Sequence, residues 1–201
     1  FQISLRPVLH DLIDPPGGYI QGAQLEFLDT AVRHDASDGN LALEYIDFID
    51  IVSIPTRNRF IKPFSWKANA GLQRWLFEDD DRPIIGQGNV GGGLSYGVFS
   101  NATIFLFAEA MALVSDRFDE KIAIGAGPSG GFIFEPTNRW RMAFYTRSLA
   151  YAVGSTRLCY DIDLEQAIDL TQRSGLRVRL SRHRAFGPAY NAVSAGLVVY
   201  F

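Results

Sequence analysis

Apolar and polar residues alternate along most of this chain with a period of two. Between Phe64 and Gln73, the residues Phe64, Trp66, Ala68, Ala70 and Leu72 share one face, while Lys67, Asn69 and Gln73 share the other. The same alternation recurs over Trp140 to Phe144, Leu158 to Leu170 and Leu176 to Leu180. Successive side chains of a strand point to opposite sides, so each segment reads as a strand with one apolar and one polar face. Turn-forming clusters punctuate them, among them Asp38-Gly39-Asn40, Asp79-Asp80-Asp81, Ser100-Asn101, Pro136-Thr137-Asn138 and Ser174-Gly175. The pattern predicts strands over 1–10, 22–34, 41–53, 62–78, 85–99, 103–116, 121–134, 139–153, 157–170, 175–183 and 191–201, about eleven in all. Asp161 to Thr171 reads as a strand and not a helix, because Ile162, Leu164, Ile168 and Leu170 all fall on even numbers. The charge-free stretch Ile84 to Ala108 is long enough for a helical span. Gly86, Gly88, Gly91, Gly92, Gly93 and Gly97 argue against a helix there.

The polar faces say which solvent the apolar ones meet. Cys159, Asp161, Asp163, Glu165, Ala167 and Asp169 share one side of their strand, and Arg177, Arg179, Ser181 and His183 share one side of the next. A hairpin turning about Arg173 would set Asp169 opposite Arg177, Glu165 opposite Ser181 and Asp163 opposite His183, acids beside bases. Arg141 and Arg147 are candidates to join this ion-pair network, with Glu109 and Lys67 further round. A charged stripe cannot face hydrocarbon, so in a barrel it lines the lumen and leaves Leu, Ile and Phe to lipid. A soluble ligand-binding barrel would have the reverse polarity. Trp66, Trp75, Trp140, Tyr96 and Tyr200 fall near strand ends, where membrane barrels carry aromatic girdles.

The final residues sharpen that reading. The chain ends Ser194-Ala195-Gly196-Leu197-Val198-Val199-Tyr200-Phe201. The placing of Gly196, Val199 and the terminal Phe201 resembles the C-terminal insertion signal of bacterial outer-membrane β-barrels. The resemblance implies residence in the outer membrane of a Gram-negative bacterium, contact with its lipid and insertion by the barrel-assembly machinery. The fold class expected is therefore all-β, an antiparallel up-and-down transmembrane β-barrel. Such barrels normally have an even strand count, so about eleven strands here imply about twelve in the intact domain. The expectation is one barrel domain over 1–201 that lacks an upstream first strand and a periplasmic domain.

Composition narrows the chemistry. With 19 basic and 22 acidic residues the chain has no basic excess that would point to nucleic acid. Cys159 is the single cysteine, which excludes an internal disulfide or a multi-cysteine metal site. Ser181 and His183 share a strand face with Asp163 or Glu165 nearby, the makings of a nucleophile, base and orienting acid. Outer-membrane lipid hydrolases place the His before the Ser, however, and here the order is reversed. The competing readings are a polar lumen near a loop, a lipid hydrolase or acyltransferase using Ser181 and His183, and a narrow pore. Asp79-Asp80-Asp81 reads as a solvated loop, since no glycine-defined calcium loop surrounds it. The glycines at 86–93 are followed by no helix or Lys-Ser/Thr pair, so they are not a phosphate loop. They fit a strand crowded by neighbouring lumen side chains. No cofactor or metal is expected.

Several segments together resemble a known family: Leu5-Arg6-Pro7 with His10-Asp11-Leu12 and Asp14-Pro15, Gly22-Ala23-Gln24-Leu25, Ile49-Asp50-Ile51, Arg57-Asn58-Arg59-Phe60 with Lys62-Pro63-Phe64-Ser65-Trp66, and Gly93-Leu94-Ser95-Tyr96. They are similar to the C-terminal region of a proteobacterial family once filed as of unknown function. Its longer members carry an N-terminal periplasmic domain of the Lnb type, similar to lipoprotein intramolecular transacylases. The resemblance implies that any such catalysis belongs to that other domain, and that this region anchors it at the outer membrane. It places no catalytic residue in this chain.

Overall fold

The structure, a computed structural model, describes residues 2–5, 8–13, 22–34, 41–79, 81–154, 157–171 and 173–199. Their regular structure is one antiparallel sheet of β1 (Gln2–Leu5), β2 (Val8–His10), β3 (Ala23–His34), β4 (Leu41–Ser53), β5 (Ser65–Arg74), β6 (Ile84–Phe99), β7 (Ala102–Val114), β8 (Ile122–Thr137), β9 (Trp140–Val153), β10 (Arg157–Thr171), β11 (Ser174–Arg184) and β12 (Tyr190–Val199). From β3 onward every strand pairs with the next in sequence, so the sheet is an up-and-down meander. β1 and β2 both pair with β3, which divides the strand expected over 1–10 into two short pieces. Pro7, between them in sequence, has no N–H to give a ladder. The successive reversals leave β1, β2 and β12 pointing the same way, and no pairing joins β12 to β1 or β2 among the described residues.

The meander has two rims. The turns at 54–64, 100–101 and 138–139 lie at the rim where β12 ends, the C-terminal rim. Those at 75–83, 115–121 and 185–189 lie at the opposite rim. β5 is shorter than the expected 62–78. At its far end the Trp75 and Phe77 amides turn to the Pro83 and Asp81 carbonyls, folding the continuation into a loop. At its start Pro63 can donate nothing.

Sheet curvature gives each strand an inner and an outer side. Leu94, Ile104, Leu106, Ile124, Leu158 and Leu180 point outward and are exposed. On the opposite face Phe107, Glu109, Met111, Ser129, Arg141 and Leu149 are buried. β7 shows the inversion most sharply, because Leu106 is 64% exposed while its neighbours Phe107 and Glu109 are 2% and 3% exposed. The usual arrangement is inverted, with a glutamate inside and leucine outside. No helix among the described residues is long and apolar enough to cross a membrane, which says nothing of strands.

Candidate functional site

The interior is layered along the strands. Toward the rim opposite the C terminus lies an apolar cluster that includes Trp75, Met111, Leu113, Tyr151, Cys159 and Phe186. Phe186, on the β11–β12 loop, is its hub, with the rings of Trp75, Phe77, Phe118 and Tyr151 at 5.7, 5.4, 5.1 and 5.2 Å. Phe77 and Phe186 also form an isolated backbone bridge, so loops from distant strands meet over this end. Arg157 pins the meeting point, donating to the Phe186 carbonyl and pairing with Glu78. Arg117 pairs with Asp79 and sits 5.0 Å from the Phe77 ring. Its guanidinium hydrogen bond holds the Asp79 carboxyl below the usual carboxylate range. Gly125 makes room for this cluster, since a Cβ there would lie 2.9 Å from the Tyr151 ring.

The opposite end is also apolar, where Ile54, Phe105, Phe107 and Ile133 pack with Leu12 and Val52. The segment after β2 enters this region: Arg141 Nε donates to the Ile13 carbonyl at 2.7 Å, and Arg177 pairs with Asp11. The ion-paired lumen is thus most polar in its middle and flanked by apolar clusters, with the Arg141 and Arg177–Asp11 contacts reaching into the C-terminal one.

The central belt has two parts. In the first, Glu109 is fully buried and accepts from Lys67 Nζ at 2.9 Å, the Tyr145 hydroxyl at 2.8 Å, Asn89 Nδ2 at 3.0 Å and the Ser129 hydroxyl. Lys67 Nζ also donates to the Tyr145 hydroxyl at 2.8 Å. A Cβ on Gly91 would stand 3.0 Å from side-chain carbons of both Glu109 and Lys67, so the glycine leaves space for this pair. Arg147 links the two parts, 4.0 Å from Glu109 and 2.6 Å from Asp161.

The second part is the β10–β11 hairpin. Asp161 also holds His183 Nδ1 at 2.8 Å; Ser181 donates to Asp163 at 2.6 Å; and Arg179 reaches Glu165 at 2.5 Å. Arg177 lies 3.5 Å from Glu165, and Arg141 holds Asp169 at 2.7 Å. The register differs from that expected. Asp161 stands opposite His183, Asp163 opposite Ser181, Glu165 opposite Arg179 and Asp169 opposite Gly175. The cause is a tighter turn: Thr171 reaches Ser174 through paired hydroxyls at 2.7 Å, and the Arg173 amide donates to Thr171. A two-residue displacement keeps every side chain on its face, so the same residues meet with different partners.

This geometry bears on the Ser181–His183 chemistry. The serine hydroxyl is committed to Asp163 and the imidazole Nδ1 to Asp161, while His183 Nε2 lies 3.9 Å from Asp163. No hydrogen bond joins Ser181 to His183 among the described residues, so the pair lacks the contact by which a base activates a hydroxyl. No group of His, Cys, Asp and Glu able to hold a metal ion is found among the described residues. A cavity of about 420 Å³ runs beside the belt, bordered by Lys67, Phe105, Tyr145, Glu165, Ser181 and His183.

Of the terminal signal, Phe201 lies outside the described residues, Val199 is described only in its backbone pairing with Ser174, and Gly196 pairs with Arg177. Trp66, Trp140 and Tyr96 face outward near the C-terminal rim. Trp75 instead points inward and is 9% exposed, because the chain turns there into the loop that covers the opposite rim. Tyr200 lies outside the described residues.

Fold and interior define the class: an antiparallel, up-and-down curled β-sheet of barrel type, apolar outside and ion-paired within. The chain belongs to the family described as Domain of unknown function (DUF7840), which matches residues 1–200. No curated protein sequence matches it. Among solved structures it is similar to the outer membrane channel DcaP of Acinetobacter baumannii, at 14% identity and a TM-score of 0.40, over 98% of this chain. The chain spans 60% of that channel's length, and the likeness is too distant to assign a role.

Proposed function

We propose that this chain is an outer-membrane β-barrel domain that anchors or scaffolds a larger envelope protein and performs no catalysis itself. One observation carries the reading: burial is inverted, with Glu109 and Arg141 enclosed while Leu106, Leu158 and Val193 are exposed. In water those outward residues would be a liability; against acyl chains they are the required surface. The remaining parts of the proposal are insertion by the barrel-assembly machinery and a covalently linked periplasmic domain of the Lnb type. The apolar layers at both ends of the lumen favour an anchor over a pore.

The test is migration of the detergent-refolded chain on a denaturing gel with and without boiling. A heat-modifiable band, lost on deleting Phe201, is expected. Recovery of the chain as a soluble monomer without detergent would overturn the proposal. Planar-bilayer recording should give little or no conductance, and steady single-channel currents would replace the anchor with a pore. Ser181→Ala should leave any release of acyl chains from lipid unchanged.

A further inference from the structure

The β4–β5 loop presents two apolar side chains that its own fold does not cover. Asn58 Oδ1 accepts from the amides of Phe60 at 2.8 Å and Ile61 at 2.7 Å, and the Asn58 amide donates to the Ile61 carbonyl at 2.9 Å. This tight turn holds Phe60 and Ile61 at the tip, 89% and 64% exposed. The loop is tied to the sheet behind it. The Arg57 amide donates to the Ser95 carbonyl at 3.0 Å, the Ser95 hydroxyl donates to the Pro55 carbonyl at 2.7 Å, and Ser65 donates to Ser95 at 3.0 Å. The Arg57-to-Trp66 and Gly93-to-Tyr96 segments, far apart in sequence, thus build one preformed structure.

Charge surrounds the apolar tip. Arg57, Arg59 and Lys62 flank it, Arg59 and Lys62 are exposed, and none of the three forms an ion pair among the described residues. The Arg57 guanidinium lies 5.9 Å from the centre of the Tyr96 ring. Beside the loop, Phe64, Trp66, Tyr96 and Phe99 form an outward band at the C-terminal rim. An ordered loop with an apolar tip, unpaired cations and an aromatic band beneath it matches a headgroup boundary. There long cationic side chains reach phosphate while apolar ones enter the acyl region.

We infer that the β4–β5 loop binds the phosphate of an anionic glycerophospholipid through Arg57, Arg59 and Lys62, with Phe60 and Ile61 seated among its acyl chains. The inference rests on the membrane-spanning reading above. It goes further by giving one rim a lipid preference.

The test refolds the full chain into phosphatidylcholine vesicles containing acyl-brominated lipid and reads quenching of tryptophan, with Trp66 next to the loop as the near reporter. Brominated phosphatidylglycerol should quench about twofold more than brominated phosphatidylcholine at equal mole fraction, and the excess should fall with salt. The double substitution Arg59→Gln, Lys62→Gln should abolish the excess while leaving quenching by brominated phosphatidylcholine unchanged. Equal quenching by the two lipids in the unsubstituted chain would overturn the inference, as would an excess that survives the double substitution. Either result leaves the barrel standing. A chain quenched by neither lipid, and with no heat-modifiable band, would overturn the membrane reading itself.

Discussion

The β10–β11 and β7–β8 hairpins present the same apolar exterior and opposite interiors. On β10–β11 the inner face is almost a continuous row of acids and bases, most of them paired across the ladder or with β9, while Arg177 also reaches Asp11. On β7–β8 the buried inner face is Phe105, Phe107, Met111, Leu113, Ile133 and small residues, interrupted by Glu109. Glu109 draws its partners from around the sheet: Asn89 from β6, Lys67 from β5, Ser129 from β8 and Tyr145 from β9. Apart from the enclosed Arg141, most charges in the first wall pair locally and stay partly exposed; the charge in the second is enclosed and ties several strands together. A half-exposed ion pair such as Glu165–Arg179 should matter little, and an enclosed one should matter much.

The largest effect expected is therefore at Lys67. Lys67→Met leaves Glu109 enclosed without its closest cation and should cost about 3–5 kcal/mol, read as the urea midpoint of the refolded chain. Adding Glu109→Gln in the same chain should restore much of that loss; a double variant as weak as the single one would mean that packing, not charge, holds the site. Phe186→Ala removes the hub of the aromatic cluster and should cost about 3 kcal/mol, with faster alkylation of Cys159, which that cluster buries. Glu165→Gln, which loosens the half-exposed Arg179 while Arg177 keeps Asp11, should cost about 1 kcal/mol or less; a loss as large as that at Lys67 would erase the distinction between the hairpins. The smallest effect lies outside the strands, at Asp79. Arg117 lowers the folded-state value of this carboxyl, so the pair's contribution is complete above the ordinary carboxylate range and is lost as pH falls through the lowered value. Protease nicking of the 75–83 loop should rise in Asp79→Asn at neutral pH, and in the unsubstituted chain only in strong acid.

The two hairpins also differ in how much of them the sequence discloses. Asp161 to Asp169 and Arg177 to His183 alternate with apolar residues, so their common face is legible directly. Their partners are not, because a two-residue change in register alters every pair and no face, and here a hydroxyl contact between Thr171 and Ser174 selects it. In β7 both faces are apolar, and only Glu109 marks the inner one. Asn89, Ser129 and Tyr145 carry no signal as its partners, since three different strands supply them. Trp75 has the spacing of a girdle residue but turns inward with its loop. Asp11 meets Arg177 only because the segment after β2 enters the interior, a path that periodicity cannot encode.

The bridge between Phe77 and Phe186 sets an order of events. These two residues are among the most widely separated in the chain that touch, so the far rim cannot be capped until β11 and its loop have taken their places. Capping of that rim therefore waits on β11 and its loop, and closing the aromatic cluster is what encloses Cys159. Loss of reactivity at that thiol reports when this rim has closed.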